Sequence, residues 1–426
     1  MRPVGANRRT FLMGTAATVA ASGGLGLDAA LAGHVWGSDR IRVGLVGCGG
    51  RGTGAAEQAL TADEGTVLVA MGDAFRDPIE SSLSALKASA VGSRLEVPEE
   101  HRFVGFDAYQ KVIDAVDVVL LATPPGFRPI HFAYAVEKGR HAFIEKPMAV
   151  DGPGLRTYLA AARASKEKGL SAVHGFCWRY HHPRRETMKR VHDGAIGEIR
   201  AIETTYNSQG VWDPRRTREQ CQSEMEYQMR NWYYYDWLSG DHIVEQAVHA
   251  IDTMAWAMGD ILPERCWAVG GRQARTEAKY GNIWDHFSVV YEYPNEVRGY
   301  HHCRHWPNTP THVKDYILGS KGVADVFGNR IRGTESWRFR GEGNNMYQTE
   351  HDEMYAGLRS GQPVNNAEQA GLSTLLAIMG RDAAYTGQVV TPEMILESTR
   401  ALVPTEFAWG DAPRRPVPVP GVNTVV

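Results

Sequence analysis

The sequence predicts an α/β protein in two parts, a nucleotide-binding domain on a doubly wound parallel sheet and then an α+β domain on a mostly antiparallel sheet. Three observations carry this. A β-rich run near residue 41 enters a glycine turn and then a helix. Later runs in the same region have the near-continuous hydrophobicity of parallel strands buried on both faces. Beyond residue 150 the strand-like segments alternate, as strands with one face in a core do.

The length of 426 residues, with 43% hydrophobic and 22% charged, fits two globular domains. A formal net charge of -3 gives no support to nucleic acid or an anionic membrane surface as partner. Five scattered cysteines form no CxxC and no metal-ligand spacing, so neither a disulfide framework nor a cysteine-held metal is expected.

Residues 1–32 are expected to lie outside the fold. Arg2, Arg8 and Arg9 precede an Ala/Gly-rich apolar run from Phe11 to about Leu27, and Ala30-Leu31-Ala32 forms a small-x-small site. This is the pattern of a cleaved signal, with Arg8-Arg9 before Phe11-Leu12 in the twin-arginine manner. Export to the periplasm or another extracytoplasmic space follows. Glycines and Asp28 make the run a poor spanning helix, so no stable membrane insertion is expected. That route moves folded proteins, so a cofactor can travel inside.

The first folded domain is expected over 40–150. Ile41 to Val46 is the entering strand, Gly47-Cys48-Gly49-Gly50-Arg51-Gly52 supplies G-x-G-x-x-G, and Ala55 to Leu60 has helical composition. Strand, glycine turn and helix together mark a Rossmann dinucleotide site. Gly47 permits the sharp turn, Gly49 the close approach of a pyrophosphate, and the helix N-terminus offers free N–H groups. Gly50, Arg51 and Gly52 belong to the same cofactor loop. The next strand, from Thr66, ends in Asp73, placed to accept from ribose hydroxyls, which favours NAD. Arg76 leaves NADP open. Val116 to Thr123 is a buried strand ending at Pro124-Pro125, a helix spans 129–139, and His141 to Ile144 leads into Glu145-Lys146-Pro147.

In the second part, 151–426, a helix is expected over 154–168 and strands over 199–206, 287–293 and 297–302. Asp241 to Met258 winds as one helix. At 100° per residue, His242, Glu245, Gln246, His249, Asp252 and Trp256 share one polar face without lysine or arginine. Three readings suit that face: acid–base catalysis, a metal held by His242, Glu245 and His249, or a polar seam against another element.

Glu145-Lys146-Pro147 after a strand, preceded by Ala122-Thr123-Pro124-Pro125 and the run from His131 to His141, resembles the Gfo/Idh/MocA oxidoreductases. This is the family of glucose–fructose oxidoreductase and inositol dehydrogenases, and the resemblance covers essentially the whole mature chain. It implies that Thr123, Pro124, Glu145 and Lys146 border the cofactor and that Lys146 bonds the reacting hydroxyl. His249 matches the catalytic histidine. Glu245 stands where aspartate is usual, which leaves its role open. Asp252 completes the pattern, and Arg179 and Tyr180 are implied to line the substrate, a sugar, glycoside or polyol. The resemblance further implies a large open sheet, dimers or tetramers formed through it, and a helical stretch from Glu350 to Gly387 that returns beside the cofactor domain.

Three functions compete. One is a dehydrogenase releasing NADH. A second is a closed redox cycle on a retained cofactor, including glycoside cleavage through transient oxidation. The third is a non-catalytic sugar-binding scaffold, against which Lys146 and His249 argue.

Overall fold

The computed structural model describes residues 39–425. The expected signal segment lies outside the described residues.

The chain runs through β1 (Ile41–Val46), α1 (Gly50–Ala62), β2 (Thr66–Asp73), α2 (Arg76–Ala88), β3 (Arg102–Val104), α3 (Ala108–Asp114), β4 (Val118–Leu121), α4 (Arg128–Glu137), β5 (His141–Ile144), α5 (Gly152–Glu167) and β6 (Ala172–His174). The six strands form one parallel sheet in the order β3-β2-β1-β4-β5-β6. This is the Rossmann order, whose direction of winding reverses between β1 and β4. Ligands bind outside the strand ends at that reversal. The sheet takes in β6, so the nucleotide-binding domain reaches past residue 150, where the sequence placed its end.

After α6 (His182–His192) come β7 (Ile199–Ser208), α7 (Glu224–Arg230), α8 (His242–Glu245) and α9 (Val248–Ala257). Seven strands follow: β8 (Arg265–Gly271), β9 (His286–Glu292), β10 (Arg298–His305), β11 (His312–Gly319), β12 (Gly322–Asp325), β13 (Arg330–Gly333) and β14 (Trp337–Arg338). Two helices, α10 (Met346–Ser360) and α11 (Ala367–Thr386), come next. The second sheet is ordered β14-β13-β12-β11-β7-β10-β9-β8 and is antiparallel except where β10 pairs with β7. One face is covered by α9 and α11. The other is uncovered, and Trp267, Val269, Tyr300 and Leu318 are exposed on it. The return of the chain to the first domain is as expected: Met354, Tyr355 and Leu358 of α10 pack into the core that contains Leu45 and Ala55.

One expectation is corrected. Asp241 to Met258 is two helices, because Gln246 and Ala247 interrupt it. The Ala247 N–H reaches the His242 carbonyl five residues back, at 3.1 Å, a widened π-type turn. Asp241 itself sits at φ 75°, where its carboxylate accepts from the His242 and Trp284 N–H groups and from the Tyr385 hydroxyl. The six polar residues therefore share no single face. His242 turns into the core and stacks on His305 at 4.5 Å.

Arg179, Tyr180 and Asp252 are buried beneath the cleft wall. Arg179 donates to Asp252 at 2.9 Å and to Asp260 at 2.6 Å, and Ser373 donates to Asp252 at 2.7 Å. The Tyr180 hydroxyl accepts from Asn366 at 2.6 Å. This network ties the turn after β6 to α9 and α11. Arg179→Met leaves two carboxylates without their cation. We expect it to cost about 3–5 kcal/mol in urea unfolding, with NAD affinity unchanged in the folded fraction.

Candidate active site

A cleft of about 730 Å³ opens at the C-terminal ends of the parallel strands, between the two domains. One wall is the glycine loop. Gly47 has φ +92° and lies so close to Ala122 and Thr123 that an added Cβ would fall 2.6 Å from their backbone. A Cβ on Gly52 would lie 1.9 Å from the Gly47 carbonyl oxygen, whereas Gly49 and Gly50 face open space. The loop is thus closed towards the sheet and open towards the cleft, with the N-terminus of α1 aimed outward. That shape fits a pyrophosphate.

At one end, the Asp73 carboxylate accepts from the Cys48 N–H at 2.8 Å and the Phe75 N–H at 3.1 Å. These bonds fix its orientation and leave lone pairs for ribose hydroxyls. Burial pushes its pKa up, and the two backbone bonds oppose that. Arg76, the residue that left NADP open, pairs with Glu99 at 2.6 Å instead and does not line the cleft. Arg230 reaches over from the second domain, pairing with Asp77 at 2.6 Å and covering the Phe75 ring at 3.8 Å.

At the other end stand Thr123, Pro124, Glu145 and Lys146. Arg128 braces this end from below, donating to the Thr123 carbonyl at 2.7 Å and the Pro147 carbonyl at 2.5 Å. Its burial lowers its pKa to about 10, a cost accepted to hold two cleft loops together. Glu145 pairs with Arg51 at 2.9 Å, and the Lys146–Pro147 peptide is cis. Lys146 Nζ bonds Glu245 twice, to its carbonyl oxygen and, at 2.9 Å, to Oε1. An ammonium has three donors, so one is left for a ligand. His249 lines the same wall. Its Nδ1 is buried without a partner among the described residues, which leaves Nε2 for the cleft. Burial holds its pKa well below 6.5, with Lys146 and Arg184 acting in the same direction, so the ring is neutral.

Lys146, Glu245 and His249 therefore converge, as do Gly47, Gly49, Gly50, Arg51, Gly52, Asp73, Thr123, Pro124 and Glu145 around the rest of the cleft. Arg179, Tyr180 and Asp252 do not line it. Trp178 does, one residue earlier, together with Tyr206, Gln246 and Trp212. A helical turn at Cys177–Tyr180 selects Trp178, and its neighbours in sequence carried no signal for that phase. Among the described residues no cluster of His, Cys, Asp or Glu is placed to hold a metal ion, and His242 lies apart from His249's wall.

Residues 41–174 match the family model described as oxidoreductase family, NAD-binding Rossmann fold, and 184–325 match the GFO/IDH/MocA C-terminal domain. The chain belongs to the GFO/IDH/MocA oxidoreductases, and its first domain is an NAD-binding Rossmann fold. It is 24% identical over 213 residues to 2,7-anhydro-N-acetylneuraminate hydratase of Escherichia coli (strain K12), covering 50% of this chain and 51% of that one. Inositol 2-dehydrogenase 4 of Saccharopolyspora erythraea is 26% identical over 241 residues, with 56% and 59% covered. The chain thus spans just over half the length of these curated relatives. The solved structure of levoglucosan dehydrogenase with NADH and levoglucosan has a TM-score of 0.64 at 18% identity, covering 83% of this chain and 99% of that one, and shows the shared fold.

Asp73→Ala removes the carboxylate that the Cys48 and Phe75 N–H groups hold at this end of the cleft. Calorimetric titration should show NAD affinity falling about tenfold to a hundredfold, the equivalent of one charged hydrogen bond, and a narrower gap between NAD and NADP.

Proposed function

We propose that this protein oxidises a secondary hydroxyl of a sugar, glycoside or polyol, using NAD held tightly in the interdomain cleft. One observation carries the reading. The free donor of Lys146 and the neutral imidazole of His249 share one wall at the end of the cleft opposite Asp73. Bound NAD supplies the hydride acceptor. Lys146 polarises the substrate oxygen, and His249 takes the hydroxyl proton on Nε2. Glu245 holds Lys146 in position, so glutamate serves where the family pattern has aspartate. Trp212 and Tyr206 offer ring faces to sugar C–H groups.

A second reading, a closed redox cycle with no net oxidation, draws support from two sources. A relative is named a hydratase, and hydration changes no net oxidation state. The twin-arginine pattern at residues 1–32 supports export, and an exported enzyme cannot exchange NADH with a cytoplasmic pool. Export itself remains part of the proposal. So does assembly into dimers or tetramers through the uncovered sheet face, which the exposed Trp267, Val269, Tyr300 and Leu318 support.

Acid denaturation of freshly purified protein should release about one equivalent of NAD per chain under the closed-cycle reading. Protein that arrives empty and exchanges NAD freely contradicts that reading and the tight hold on NAD, and leaves a simple dehydrogenase that releases NADH. Lys146→Ala and His249→Asn should each lower kcat about 10²- to 10⁴-fold towards the best of a glycoside panel, with NAD still bound.

A further inference from the structure

His249 rests against the Trp178 indole, with ring centroids 5.1 Å apart and planes 26° apart. The same indole carries the Arg184 guanidinium over its ring at 4.1 Å, and Phe327 meets it edge-on at 5.0 Å. Arg184 also lies 4.1 Å from the Phe327 centroid. Its side chain is held by rings rather than by carboxylates. It is 8% exposed, and its Nη1 is buried without a hydrogen-bond partner among the described residues. Burial lowers its pKa, and the buried Asp315 of β11 is the acid that most opposes this. A methionine or leucine would fill such a space without desolvating a charge. A buried cation one ring away from a proton-accepting imidazole calls for a reason, and stacking on aromatic faces is what arginine does well.

We propose that Trp178 and Arg184 are positioning residues for His249: the indole fixes the plane of the imidazole, and the guanidinium clamps the indole and sets a permanent positive charge near the base. The proposal rests on the reading of His249 as the proton acceptor. The charged groups that act on His249 are Lys146 from the loop after β5, bonded to Glu245 of α8, and Arg184 of α6; Tyr206 of β7 meets the same indole, and Asp315 of β11 acts on Arg184. Tyr206 is neutral, its pKa raised to about 12 by burial, and burial likewise raises Asp315 to about 8. The fixed cations are therefore Lys146 and Arg184, and the charge of Lys146 is offset in part by its bonded Glu245. Both cations disfavour imidazolium. Removing Arg184's charge makes His249 easier to protonate, so the acid limb of the rate profile moves to higher pH.

The test compares Arg184→Met, Arg184→Gln and Arg184→Lys with wild type as NAD-loaded enzymes. Two readouts are used: the pH dependence of kcat/KM and the titration of His249 by NMR on ¹³C-histidine protein, assigned with His249→Asn. A unit charge at this range gives a shift of about one pH unit. That upward shift is expected in both readouts for the Met and Gln variants, the second standing in should the first not fold. Arg184→Lys should keep the wild-type titration and lose turnover, because it keeps the charge without the planar stack. Trp178→Phe should lower kcat with little change in KM. A His249 titration in Arg184→Met and Arg184→Gln that coincides with wild type overturns the proposal. Full turnover by His249→Asn overturns the reading of His249 as the base, a separate failure seen in a separate variant.

Discussion

A single buried ion pair fixes the geometry on which the site depends. Lys146 comes from the loop after β5 in the first domain and Glu245 from α8 in the second, and each side chain is 11% exposed. Desolvating two charges is costly, and their attraction repays the cost only with good geometry and further hydrogen bonds. Here the ammonium is also bonded to the Glu245 carbonyl oxygen, so side chain and backbone of one residue hold it together. The pair ties the second domain to the first at the Lys146 end of the cleft. It also orients the one donor of Lys146 left for a ligand.

The π-type turn at Ala247 makes this possible. In an unbroken helix Glu245 and His249, four residues apart, would lie side by side on one face. The extra residue in the turn rotates them apart, so Glu245 closes on Lys146 while His249 faces the cleft against Trp178. A reader of the sequence sees unbroken helical periodicity there. What interrupts it is tertiary: Asp241, at a positive φ, is pinned by the Trp284 N–H and the Tyr385 hydroxyl, each far along the chain. The glycine loop is legible for the opposite reason. The constraints on Gly47 and Gly52 come from neighbours within the loop and from the adjacent strand end, so the motif carries its own geometry. Asp73, Lys146 and His249 were legible because each sits at a strand end or within a motif. Arg179 and Asp252 point away from the cleft because they form a charge cluster with Asp260, and Tyr180 because Asn366 holds its hydroxyl; neither partner leaves a mark on local sequence.

The second domain also closes over the Asp73 end of the cleft. Its Arg230 closes over Phe75 and Asp77, and the C-terminal tail packs Phe407 and Trp409 against Phe106. Aromatic residues from three distant parts of the chain thus gather around the Asp73 end of the cleft, which suits slow release of a bound nucleotide. A cofactor that stays through many turnovers fits a redox-neutral outcome better than net oxidation does. The proposed roles of Lys146 and His249 serve either outcome, since hydride removal and hydride return would pass through one arrangement of oxygen, ammonium and imidazole.

The most direct measurement is single-turnover reduction of bound NAD, followed at 340 nm, in wild type and Glu245→Gln with a protiated and a carbon-deuterated glycoside. If the Lys146–Glu245 pair sets the geometry for hydride removal, Glu245→Gln retains NAD but slows the step about tenfold or more, with a primary isotope effect in both proteins. Equal rates in the two proteins would contradict the central role of the pair.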